Sequence, residues 1–128
     1  MASIDEYLPN SAHRSAGSQR SQWTISIPEE RTCFQKCIEN LWLLQDTGWG
    51  LHFPAGFPEY LGVAEDQETS LFIARFVGKS GAWHGYPADH QRNFQDIPDG
   101  TILSNWLGRK LLGAAKIRKI TRGQPCRL

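Results

Sequence analysis

Residues 23–48 read WTISIPEERTCFQKCIENLWLLQDTG, and a change of period inside this stretch decides the fold class. Trp23, Ile25 and Ile27 alternate with Thr24 and Ser26, the period-2 pattern of a strand with one buried face that ends at Pro28. From Glu29 onward Phe34, Cys37, Ile38, Leu41, Trp42 and Leu44 recur at steps of three and four residues, which lines them up as one stripe on an α-helix. Ser26 with Glu29 three residues later forms a capping-box pattern, and Glu29 and Glu30 complement the positive end of the helix dipole. Thr47-Gly48 supplies a stop. The spacing therefore predicts one long helix over about 28–46.

On the N-terminal side, residues 9–22 are rich in Ser, Gly, Gln and Arg and carry no large apolar group, so residues 1–22 are expected to form a flexible N-terminal arm. On the C-terminal side, 49–58 mixes Gly and Pro with large apolar residues and reads as a packed irregular connection. Residues 59–64 and 70–77 lean apolar around the acidic stretch 65–69, which predicts a β-hairpin with a charged loop. Residues 82–86 start a further strand. Ile102, Leu103, Trp106, Leu107 and Leu111 fit one helical face, and 114–121 places Ile117 and Ile120 together, so two short helices separated near Leu112-Gly113 are expected. Together these elements predict an α+β domain over 23–128, with a small antiparallel sheet packed against the long helix and two short C-terminal helices.

The chain has 128 residues, 40% of them hydrophobic, with five Trp and six Phe, enough for one buried core and too apolar for disorder along most of its length. No apolar run approaches the ~20 residues of a membrane span, and no secretory pattern opens the sequence. Three cysteines cannot all pair within one molecule, so a reducing cytoplasmic setting is expected. The net charge of +1 conceals a polarity: residues 29–70 hold eight acids and two bases, whereas 101–128 hold seven bases and no acid. Either these blocks form separate acidic and basic faces, or they pack together and screen each other.

The densest group of chemically capable side chains runs from Trp83 to Asn93, taken as a loop following a strand. His84 and His90 suit general acid–base work, Arg92 an anion, and Asp89 the fixing of an imidazole tautomer, with Trp83, Tyr86 and Asn93 completing a binding surface. The competing reading has the two rings pinning the loop and the histidines bonding backbone. No spacing matches a zinc site and no cofactor motif is present. Cys33 and Cys37, four apart on the predicted helix, read as buried thiols, whereas Cys126 is expected to be exposed. In the C-terminal helices Lys116, Arg118, Lys119 and Arg122 either face phosphate in a helix-turn-helix-like arrangement or form a solvated basic face.

The leading functional expectation is a small soluble non-enzymatic protein-binding module, such as a bacterial inhibitor or immunity-type protein that neutralises a toxin or enzyme. Abundant Trp and Tyr would anchor its interface and charge would match its partner. One alternative is a nucleic-acid-binding protein using the basic C-terminal helices; a second is a small hydrolase or nuclease centred on His84 and His90. No membrane partner is expected.

Overall fold

The computed structural model describes residues 2–15, 19–79 and 81–128. Its fold is α+β, with two antiparallel sheets, one long helix and two short C-terminal helices among the described residues. Strands β1 (Gln22–Trp23), β4 (Gly62–Val63) and β5 (Ser70–Leu71) form a small sheet in the order β1-β4-β5. Strands β2 (Leu43–Leu44), β3 (Thr47–Leu51), β6 (Ile73–Lys79) and β7 (Ala82–Ala88) form the larger one in the order β2-β3-β6-β7. Helix α1 (Ile27–Glu39) lies on the larger sheet, and α2 (Gly100–Gly108) and α3 (Ala114–Thr121) close the chain. No helix of the described residues is long and apolar enough to cross a membrane.

The start of α1 follows the sequence signal. Ser26 Oγ accepts from the Glu29 backbone while the Glu29 carboxylate accepts from the Ser26 backbone, a complete capping box with Pro28 in the first turn. Its end corrects the expectation of a helix to 46. Leu41 adopts a left-handed φ of 59°, its amide donates to the Ile38 carbonyl, and the Trp42 amide donates to the Cys37 carbonyl. This is a Schellman termination with leucine where glycine is usual. Leu43 and Leu44 then pair with Gly48 and Thr47 across a turn at Gln45-Asp46, so Leu41, Trp42 and Leu44 are not a helical stripe. Only Trp42 of the three is buried.

A second correction concerns 49–58, whose first residues belong to β3 rather than to an irregular connection. Gly48 and Gly50 leave β3 without side chains on the face that α1 covers. A Cβ at Gly48 would sit 2.9 Å from Cys37 Sγ, and one at Gly50 3.2 Å from the Cys33 carbonyl oxygen. Glycine is required there by close helix–sheet approach, although it reads as a loop signal. Around this contact Tyr7, Phe34, Phe76 and Trp83 form an aromatic core, with successive ring centroids 4.9 to 5.8 Å apart.

The acidic stretch 65–69 does link two paired strands, β4 and β5, as expected. Phe72 then interrupts the run, and β6 continues in the other sheet between β3 and β7. Residues 82–86, expected to start a further strand, do lie in β7, which runs to Ala88 and is paired along its whole length with β6, so the run from Trp83 is not a loop until after Ala88. Of the expected arm, Tyr7 is buried and bridges in parallel to Trp83, and Arg14 reaches Glu30 of α1; residues 1 and 16–18 of that arm lie outside the described residues.

Candidate functional site

The side chains predicted as a site are distributed by the pleat of β7. Trp83 points into the core, 5.6 Å from Phe34 between ring centroids. His84 and Tyr86, two residues apart, share the opposite face, with Cα atoms about 7 Å apart along the strand. Beyond the strand Asp89 caps its own turn. Its Oδ1 accepts from the Gln91 and Arg92 amides and its Oδ2 from Arg92 at 2.8 Å, while Arg92 also donates to Asp66 at 2.8 Å. The Asp66 carboxyl is held well below the usual carboxylate range by bonds from the Thr69 amide and hydroxyl and the Glu68 amide. Arg92 is thus occupied by two carboxylates. His90 is buried and its Nε2 lies 2.7 Å from the Gln124 carbonyl, which pins the C-terminal tail. His84 and His90 therefore do not form a shared acid–base centre: one faces solvent and the other is closed off and engaged.

The structure instead brings His84 together with a histidine that sequence reading left in the arm. His13 stacks on Tyr86, with ring centroids 5.2 Å apart and planes 19° apart. His13 Nδ1 lies 2.8 Å from the Ser21 carbonyl, and His84 Nδ1 lies 2.9 Å from the Leu8 carbonyl. A carbonyl only accepts, so each neutral ring carries its proton on Nδ1 and leaves an Nε2 lone pair free. Asn10, His13, Arg20, Asp46, His84 and Tyr86 line one cleft of about 510 Å³ over this sheet face. His13, Arg20 and Tyr86 also line an adjoining hollow of about 260 Å³ that reaches Glu65, Asp89 and Asn93.

A buried polar cluster fixes the floor. Tyr86 donates its hydroxyl to Asp96 Oδ1 at 2.8 Å and accepts from Arg75, while Asp96 Oδ2 accepts from the Asp89 amide at 2.8 Å. Burial, reinforced by Asp96, pushes the Tyr86 phenol up to about 12. Burial also raises Asp96 and lowers His13, with Arg20 lowering His13 further. Sequence patterning missed His13 because it sits in a Ser- and Gly-rich segment with no periodicity; the signal available was only its aromatic nature among small polar residues.

The C-terminal bases form a separate surface. On α3, Ile120 is buried and Ile117 half-buried, whereas Arg118, Lys119 and Arg122 are exposed and fall within about one-third of the helix circumference. Among the described residues no ion pair joins these bases to the acidic block. Glu29, Glu30, Glu39 and Asp66 pair instead with His52, Arg14, Lys36 and Arg92. Arg109 sits 5.3 Å over the Trp42 ring and donates to Asn40. Contrary to expectation Cys126 is buried, because the tail folds back and directs its thiol to the Lys116 carbonyl at 3.9 Å. Cys33 and Cys37 are buried free thiols as read from the sequence. Among the described residues no group of three or more His, Cys, Asp or Glu side chains is placed to hold a metal ion.

Compared with protein-family models, with curated proteins and with solved structures, the chain matches none.

Proposed function

We propose that the protein is a small nucleic-acid-binding module that docks the phosphate backbone against the basic face of α3. The observation that supports this reading is the unpaired array of Arg118, Lys119 and Arg122, with no carboxylate of the described residues bonded to it. Three exposed cations on one rigid helix face attract a polyanion without regard to sequence, because counterion release supplies the binding free energy. All five Trp are buried, so the tryptophan anchors expected for a protein partner are not at the surface. The test is fluorescence polarisation of labelled single-stranded RNA and DNA oligonucleotides at low salt. Arg118→Glu with Lys119→Glu and Arg122→Glu is expected to weaken binding more than about tenfold; unchanged affinity would contradict the reading.

A second reading keeps the expected inhibitor or immunity-type module that binds a protein. It is favoured by exposed Leu41 and Leu107, each next in sequence to one ring of the Trp42–Trp106 pair, where Arg109 covers Trp42 and Asn105 accepts from the Trp42 indole. Under it, Leu41→Asp with Leu107→Asp releases a co-purifying protein.

A further inference from the structure

We infer that the cleft between His13 and His84 is an acid–base site that cleaves ribonucleotide phosphodiesters. Three features of the cleft converge on this chemistry. The two imidazoles are oriented alike: each has its Nδ1 tied to a main-chain carbonyl, Ser21 for His13 and Leu8 for His84, so each presents Nε2. Both line the same cleft of about 510 Å³, where His13 rests on Tyr86 and Tyr86 is two residues from His84 on one strand face. Arg20 lines that cleft too, and has no ion-pair partner among the described residues. One base, one acid and one cation are what an in-line phosphoryl transfer needs from a protein when the nucleophile belongs to the substrate.

RNA supplies that nucleophile. His13 Nε2 takes the proton of the ribose 2′-hydroxyl as its oxygen attacks phosphorus, forming the P–O2′ bond. The P–O5′ bond breaks, and the leaving oxygen takes the proton carried on Nε2 of protonated His84. The products are a 2′,3′-cyclic phosphate and a free 5′-hydroxyl; atoms and charge balance with no oxidant, metal or water consumed. Arg20, which lines the cleft, holds the non-bridging oxygens. The assignment of base to His13 agrees with its burial, which favours the neutral ring, while His84 is open to solvent. The rigid floor of Tyr86, Asp96 and Arg75 fixes the position of His13 through the ring stack. This site uses none of the α3 residues, so either assignment can fail without the other.

The test uses the full chain and a dinucleoside monophosphate, which presents a single phosphodiester, with release of the cyclic phosphate followed by chromatography. Cleavage above buffer is expected for the ribo-substrate and not for its 2′-deoxy analogue. His84→Ala and His13→Ala are each expected to slow it by at least about 100-fold. His84 is exposed, so its variant is expected to melt at the wild-type temperature and separates lost chemistry from lost fold. Cleavage no faster than buffer, or a His84→Ala protein as fast as wild type, would overturn the proposal. Inorganic phosphate that shifts both imidazole resonances without any cleavage of the dinucleotide would reduce the site to an anion cleft and overturn it equally.

Discussion

Arg14 and Glu30 are joined by an ion pair of 2.7 Å, with Arg14 Nε donating to the same carboxylate oxygen at 3.1 Å and Glu30 having no solvent exposure. The Tyr7 hydroxyl donates to the other Glu30 oxygen, and Arg14 also donates to the Ile25 carbonyl at 2.9 Å. Two residues of the N-terminal segment therefore close over the first turn of α1 and satisfy a carboxylate that burial would otherwise make costly. Arg14→Ala leaves that charge with the Tyr7 hydroxyl alone and is expected to cost about 3–5 kcal/mol. Replacing both partners with apolar residues of similar volume is expected to cost much less. Urea denaturation of the single and double variants checks this; a loss under about 1 kcal/mol for Arg14→Ala would show that the segment does not stay closed.

Gly48→Ala tests the close approach of α1 to the sheet. The added Cβ would meet Leu43 Cδ2 at 2.4 Å, Cys37 Sγ at 2.9 Å and the Trp42 carbonyl at 3.2 Å, with backbone on one side and packed core on the other. The expected loss is about 1–3 kcal/mol in thermal or chemical unfolding. Gly100→Ala, where an added Cβ meets nothing within 4 Å, serves as the neutral control.

Burial lowers the proton affinity of His13 below the ordinary value of 6.5. The unfolded chain then binds a proton at higher pH than the folded one, so protonation favours unfolding. The contribution of His13 to stability is present above about pH 6.5 and is lost as pH falls towards and through the folded value. Proton NMR of the histidine Cε1 resonances, assigned by comparison with His13→Asn, is expected to give His13 a midpoint below 6.5. A midpoint at or above that value would mean that the ring is not covered as described.

Burial pushes the Cys33 and Cys37 thiols up to about 12, and also raises Cys126. At pH 8 Ellman's reagent is expected to show no rapid phase with native protein and three thiols once it is denatured. One rapidly reacting thiol, lost in Cys126→Ser, would show that the tail is not docked over the Lys116 carbonyl.

The α+β class, the capping box at Ser26 and Glu29, the charged hairpin loop, the helix pair after Gly100 and the buried Cys33 and Cys37 are all readable from local pattern. What stays hidden has a common cause in backbone conformation. All three helices end in the same termination, with the second and third residues past the last helical one bonding back to its carbonyls, yet only α3 uses glycine, Gly123; α1 uses Leu41 and α2 uses Lys110, both in left-handed conformation. A reader of Gly signals therefore runs α1 on to Gly48. Gly48 and Gly50 then mislead in the opposite sense, because they mark close packing within a strand. The candidate site is half legible: the polar–aromatic run from Trp83 to Asn93 contains His84 and Tyr86, but His13 reaches Tyr86 only through a long-range fold of an aperiodic segment, and His90 is drawn inward by Gln124.

The central claim is that the α3 face binds nucleic acid through phosphate contacts, and the salt dependence of that binding tests it most directly. For Arg118, Lys119 and Arg122 each meeting one phosphate of a single strand, the logarithm of the association constant should fall against the logarithm of salt concentration with a slope of about −2. In the triple glutamate variant that binding should be weaker by more than about tenfold. A flat salt dependence, or no binding of RNA or DNA at low salt, would contradict the account.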